Sequence, residues 1–198
     1  MTAHSTAAAG RITAAVHADA PVLEGIVDRA YRQRIPGAWT TEHGRVTGRR
    51  ITAAGIRDLI DDSAVELLVA RDYTAPGSHD GCILLQWPHG GDAPELGLFA
   101  VEPTTQGRGV GRALVNALER HAAARGYSAV RLMVLEDRPE ITAWYERLGY
   151  SLTGVTGAFP EGTPSAPVNP HVRFVEMRKP LSSPERGPEP GADHRLPR

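Results

Sequence analysis

Gln106-Gly-Arg-Gly-Val-Gly111 is the stretch on which the reading of this chain turns. It follows Glu95-Leu-Gly-Leu-Phe-Ala-Val101, an apolar run with the length and composition of a buried strand. It leads into Val110–Arg125, where Val110, Leu114, Leu118 and Ala122 recur every four residues, the spacing of one helix face. A glycine-rich turn between a strand and a helix presents several backbone N–H groups at the positive end of the helix. That arrangement suits a phosphate or pyrophosphate. At Gly109 and Gly111 a side chain would block the approach of a phosphate or forbid the turn.

Known phosphate-binding patterns can be tested against these letters. A P-loop needs Lys and then Ser or Thr after its second glycine, and neither stands at the required offset. A dinucleotide fingerprint starting at Gly109 would place its third glycine on Leu114, so it fails as well. The Gly107-x-Gly109-x-Gly111 run suits a methyl-donor turn, with Glu136 and Asp137 ending the next apolar strand; an S-adenosylmethionine-dependent methyltransferase is therefore one alternative. The pattern Gln/Arg-x-x-Gly-x-Gly/Ala fits without a mismatch through Gln106, Gly109 and Gly111. With Val101-Glu102-Pro103 before it and Trp144-Tyr-Glu-Arg-Leu-Gly-Tyr150 after it, the chain resembles the GCN5-related N-acetyltransferases. The resemblance is clear over about residues 94–155 and extends to residues 10–181.

Composition agrees with one domain. The chain has 198 residues, 41% hydrophobic and 23% charged, enough for a single core. A net charge of −1 gives no reason to expect nucleic-acid binding. No apolar stretch approaches 18 residues and the N-terminus has no export pattern, so neither membrane nor secretion is expected and the cytoplasm is the default. The lone Cys82 lies in an apolar strand and reads as a buried structural thiol. Residues 1–9 are small and polar and 182–198 are rich in proline and charge, so both ends are expected to be disordered around a domain spanning 10–181.

Between the ends, strands are predicted over 12–16, 65–71, 81–87, 95–101, 129–135, 151–155 and 172–179. Helices are predicted over 20–32, 51–62, 110–125 and 139–148. In the first helix Val22, Leu23, Ile26, Val27 and Ala30 carry the apolar pattern, Asp19 is the expected N-cap and Pro21 falls in the first turn. Alternating strands and helices imply an α/β (α+β) fold with helices packed on a sheet. The family resemblance implies a mixed, mostly antiparallel central sheet with helices on both faces.

The same resemblance implies acetyl-CoA as cosubstrate and assigns roles by position. Main-chain groups of Phe99, Ala100 and Val101 would pair with the pantetheine arm, the Val101 N–H lying nearest the thioester oxygen. Gln106, Gly107, Arg108, Gly109, Val110, Gly111 and Arg112 would hold the pyrophosphate. Glu95 stands where several members place a catalytic glutamate, and Tyr145 matches the tyrosine that protonates the leaving thiolate. Glu95 lies six residues before Val101, so an unbroken period of two predicts the same face for both side chains. Ile141, Trp144, Tyr145 and Leu148 also form a helical stripe, so packing alone explains an aromatic at 145. Arg138 replaces the asparagine that the family often carries at a cofactor-contacting position, and Met133 replaces a glutamate used as a base by some members. No metal is called for.

The acceptor would be walled by residues 32–50 and 156–170. The first wall holds Trp39 and an arginine cluster (Arg32, Arg34, Arg45, Arg49, Arg50) that suits a carboxylate or phosphate, or is simply solvated. The second is a proline-rich, lid-like segment with Phe159 as its expected anchor and His171 beyond it as a candidate pocket base. The expected activity is acetyl transfer to a primary amine of a small-molecule or amino-acid-like acceptor, by direct attack. A CoA-binding sensor without turnover is the other alternative, resting on Arg138. A small amine is the expected partner, and homodimerisation is left open by the sequence.

Overall fold

The computed structural model describes residues 10–88, 90, 92–160 and 165–181. The expected disordered ends, 1–9 and 182–198, lie outside the described residues. The elements run β1 (Arg11–Ala14), α1 (Ala20–Arg32), β2 (Val46–Thr47), α2 (Ala53–Asp61), β3 (Val65–Arg71), β4 (His79–Gln86), β5 (Glu95–Val101), α3 (Val110–Ala124), β6 (Ala129–Leu135), α4 (Pro139–Arg147), β7 (Ser151–Ala158), β8 (Ala166–Pro167) and β9 (Arg173–Pro180). Seven strands form one sheet in the order β1-β3-β4-β5-β6-β9-β7. Every adjacent pair is antiparallel except β5 and β6.

Two apolar cores lie on opposite faces of this sheet. On one face α3 buries Val110, Leu114, Leu118 and Ala122 against Leu68, Ile83, Leu85, Leu96, Leu132 and Met177, with Tyr145 and Tyr150 closing the edge. On the other face Leu23, Ile26, Val27 and Ile56 from α1 and α2 cover Leu67, Val69, Leu84, Leu98 and Ala100. The alternation of a strand between two covered faces produces these near-continuous apolar runs. The helical stripe of α1 runs through Leu23, Ile26 and Val27, whereas Val22 falls on its flank and stays exposed, against the sequence expectation. Thr52 caps α2 by accepting from the Gly55 N–H, so that helix begins two residues later than expected.

Asp19 occupies the expected N-cap position of α1, but its side chain makes no capping bond to the helix. Its carboxylate accepts instead from Arg71 and from the Val16 N–H, and contacts His79 on β4. Burial alone would raise its pKa, but these donors outweigh that and hold it down to about 2. Cys82 is fully buried and burial pushes its thiol up to about 12, as expected of a structural thiol.

Two irregularities prepare the site. Phe99 pairs with Ile83 but Leu96 pairs with Leu85, so β5 spends one extra residue between them, a β-bulge around Gly97 and Leu98. Leu96 therefore faces the α3 core, while Leu98 and Ala100 face the α1 and α2 core. The second irregularity is the parallel pairing of β5 with β6, which joins only Glu95 to Arg131 and Leu96 to Leu132. Beyond Leu96 the two strands are no longer paired and the sheet splays.

Candidate active site

A cavity of about 920 Å³ occupies the splay, at the upper end of the range for small-molecule sites. Its walls include Phe99 and Val101 from β5, the loop through Gln106, Gly107 and Gly109, the start of α3, Leu132 to Leu135 of β6, and Trp144 and Tyr145 of α4.

The open edge of β5 offers main-chain groups at alternate residues. The Tyr31 hydroxyl of α1 donates to the Phe99 carbonyl at 2.9 Å and accepts from the Phe99 N–H at 3.2 Å, so both groups point into the splay. The Glu102 N–H donates to Asp80 at the start of β4, so even-numbered positions face the other way. By the same alternation Val101 shares the open edge with Phe99, whereas the main-chain groups of Ala100 turn to β4, where Ala100 pairs with Cys82. The expectation that Ala100 offers bonds to a ligand in the splay is thus corrected.

The loop after β5 has the expected form. Gly107 and Gly109 have φ of 80° and 86°, a region that L side chains rarely occupy, and nothing lies within 4 Å of a Cβ at either position. Gly109 is the N-cap of α3, and no side chain caps the helix. Its first-turn N–H groups therefore stand available to an anion. Gly111 serves differently. A Cβ there would meet the Phe99 ring at 3.2 Å, so this glycine lets α3 approach β5. The Gln106 amide bridges two walls, accepting from the Trp39 N–H at 2.7 Å and donating to the Val101 carbonyl at 3.4 Å.

Glu95 lines the cavity but not on the face expected for it. The bulge at Gly97 inverts the alternation, so Glu95 faces the α1 and α2 side while Val101 packs toward α3. Its carboxylate sits 2.7 Å from Arg131 of β6, which also holds Glu176 at 3.2 Å. Tyr145 is buried in an edge-on aromatic chain with Trp144 and Tyr150, and it also lines the cavity. Burial, reinforced by nearby Tyr31, pushes its hydroxyl far above the ordinary tyrosine range. Packing and cavity exposure coexist at this residue.

Arg138 is buried at the N-terminal end of α4 and faces the segment that follows α1. It bonds the Thr40 hydroxyl and lies 3.4 Å from both Glu42 and Glu140. Arg32 is fully engaged, donating to the Gly48 carbonyl, Glu42 and Ser165. Ser165 in turn donates to the Arg49 carbonyl, and β2 pairs with β8. The segment after α1 and the segment from Ser165 to Pro167 are thereby stitched together beside the cavity, which Arg32, Val46 and Ser165 line. Phe159 stacks on Phe174 at 5.6 Å and lines the cavity. Trp39 is half-exposed, 6.3 Å from Trp144. His171 is exposed and lines a second depression, which shares Ala158, Phe159, Pro160 and Ser165 with the main cavity, but His171 is not itself in the lining of that cavity. Arg108 is exposed on the loop, and Arg112 lines the cavity from α3.

Sequence reasoning missed Tyr31 and Glu42 as site residues. Tyr31 follows Val27 by four residues, so it reads as one more apolar helix position. Only its hydroxyl, meeting a strand 68 residues away, gives it a place in the site.

A family model described as Acetyltransferase (GNAT) family matches residues 38–150. Among solved structures, the chain is similar to the ribosomal-protein-S18-alanine N-acetyltransferase from Escherichia coli. The two are 20% identical, with 90% of this chain and 97% of that one covered and a TM-score of 0.63. It is also similar to nourseothricin acetyltransferase (23% identity, 88% and 99% covered, TM-score 0.60). A GCN5-related N-acetyltransferase from Kribbella flavida gives 23% identity, 87% and 98% covered, and a TM-score of 0.60.

Proposed function

The chain belongs to the acetyltransferase (GNAT) family, and on that premise we propose that it moves an acetyl group from acetyl-CoA to the primary amine of a small, amino-acid-like acceptor. The observation that carries this reading is the continuity of one cavity. An unpaired strand edge at Phe99 and Val101 runs directly into an uncapped helix start behind Gly109. An amide-bearing arm can pair with the first, and a pyrophosphate can rest on the second.

Acetyl-CoA supplies the thioester; the chain's own residues bind, orient and move protons. The amides from Gly107 to Arg112 hold the phosphates, with the Arg112 guanidinium beside them. The arm and the Tyr31 hydroxyl compete for the two Phe99 main-chain groups, so the hydroxyl gives up these two bonds when the arm pairs there. The Val101 N–H, on the same edge, donates to the developing oxyanion. Tyr145, which matches the family's proton donor by position and lines the cavity, gives its proton to the departing thiolate. Glu95, on the acceptor face of the sheet, takes the amine's proton through water; Arg131 fixes its orientation. Arg138 ties the start of α4 to the acceptor wall and is a positioning residue rather than a contact to the arm.

The stitched roof of β2 and β8 supports a small acceptor over an extended peptide lying across the site. The test is thiol release from acetyl-CoA against amines, amino acids and short peptides. Turnover of an amine supports the proposal. Tight acetyl-CoA binding with no thiol release from any amine would favour a sensor, and S-adenosylmethionine binding by calorimetry would revive the methyl-donor reading.

A further inference from the structure

The arginines of the acceptor wall are not equivalent. Arg32 is spent on Glu42, Gly48 and Ser165; Arg45 pairs with Asp137, Arg49 with Glu24, and Arg138 with Glu42 and Glu140. Arg50 has no carboxylate at ion-pair distance among the described residues, and it lines the cavity. Its guanidinium stands 5.6 Å from the centre of the Tyr31 ring. The other end of that phenol is the hydroxyl on the Phe99 main chain. Arg50 is therefore one phenol ring removed from the edge where transfer would take place.

We propose that Arg50, held over Tyr31, reads a carboxylate on the acceptor, which makes the acceptor a short amino acid rather than a simple amine or polyamine. This rests on the acetyltransferase reading given above. Charge balance supports it. Glu42 faces two guanidiniums, from Arg32 and Arg138, and Glu95 is paired with Arg131, so the carboxylates of this end are already matched. Of the wall guanidiniums that line the cavity, Arg32 and Arg138 are paired, and Arg50 is the one with no carboxylate at ion-pair distance among the described residues. A zwitterion fits such a site, with its amine toward the Glu95 side of the sheet and its carboxylate on the planar fork of a guanidinium. The backbone just before Arg50 is pinned, because the Gly48 carbonyl accepts from Arg32 and the Arg49 carbonyl from Ser165. The side chain thus starts from a fixed point although its tip is exposed at the rim. Stacking on an aromatic face steers the guanidinium without consuming its in-plane donors.

The experiment compares amino acids of graded length with their carboxamides as acceptors, in wild type, Arg50→Gln and Arg50→Lys. Wild type should favour the acid over its amide by about tenfold or more in kcat/KM, the scale of one charge-assisted contact. Arg50→Gln should abolish that preference through the acceptor KM and leave the acetyl-CoA KM unchanged. Arg50→Lys should recover part of it. Equal use of acids and amides by wild type, or a preference that survives in Arg50→Gln, would overturn the inference. A rise in the acetyl-CoA KM alone would move Arg50 to a cofactor phosphate and equally overturn it. If no amine is turned over, the acetyltransferase reading fails on its own. The Arg50 inference is then read from calorimetric binding of N-acetylated amino acids against their amides with coenzyme A present, where a wild-type preference for the acid that Arg50→Gln removes would sustain it and no preference would end it.

Discussion

Replacing Gly109 with Ala isolates the conformational contribution of the phosphate loop. Gly109 sits at φ 86°, where a residue with a Cβ costs about 1–2 kcal/mol relative to glycine. No atom lies within 4 Å of the added Cβ, so the free protein feels no clash. The loop is also lightly tethered. Its preceding amides, Gln106 to Pro103 and Arg108 to Thr105, make bonds of 3.4 Å. The variant loop can therefore relax toward negative φ in the free protein, and the cost reappears when acetyl-CoA binds. At 1.4 kcal/mol per tenfold, affinity should fall by about 5–30-fold, more if the new methyl also meets a phosphate oxygen. Gly126, at the end of α3, has φ 85° and equally empty surroundings but lies outside the cavity lining. Gly126→Ala carries the same backbone cost and should bind acetyl-CoA like wild type. Isothermal calorimetry on both variants, with thermal unfolding to confirm the fold, decides the matter. Wild-type affinity in folded Gly109→Ala, or an equal loss in Gly126→Ala, would show that the pyrophosphate does not depend on this turn.

Other consequences are as direct. Tyr145→Phe keeps the aromatic packing and removes the hydroxyl, so kcat should drop by about 10–100-fold with acetyl-CoA affinity and melting temperature nearly unchanged, while an unaltered kcat would reduce Tyr145 to a packing residue. Glu95→Gln should lower the rate at neutral pH and regain part of it at alkaline pH, where the acceptor is already deprotonated; a constant ratio to wild type from about pH 6.5 to 9.5 would remove Glu95 from proton transfer. Asp19 tests the electrostatics of the far end of the sheet. Its pKa is depressed to about 2 in the fold, so its contribution is present above about pH 4 and disappears as pH falls toward 2. A shift of this size corresponds to about 2 kcal/mol. In urea unfolding, the stability gap between wild type and Asp19→Asn should be level from about pH 5 to 8 and close below pH 4. A gap that persists at pH 2 would mean the loss comes from packing rather than charge.

Local chemistry determined a large part of this protein. Apolar runs of strand length placed β3, β5 and β6, and a period of 3.6 placed α1, at their observed bounds, because those signals are set by neighbours a few residues apart. The glycine turn before α3 was legible for the same reason, since positive φ at Gly107 and Gly109 is a demand that each residue meets by itself. Tertiary structure decided what depends on distant partners. The strands β2 and β8 are two residues each, too short to carry a period, and exist only because residues about 120 apart meet. Asp19 stands at its expected N-cap position, but its carboxylate turns to Arg71 and His79, whose position no local rule foretells. The bulge at Gly97 is a mismatch between two strands, invisible in either alone, and it alone turned Glu95 to the α1 and α2 face and away from Val101. The same long-range pairing consumed the main chain of Ala100 and opened that of Phe99. Among the wall arginines the letters show five equal charges; only the placement of Glu24, Glu42 and Asp137 separates the paired Arg32, Arg45 and Arg49 from Arg50, which lines the cavity without a carboxylate partner among the described residues. Periodicity records which face a residue prefers, whereas the partner it meets there is fixed by the folding of chain far from it.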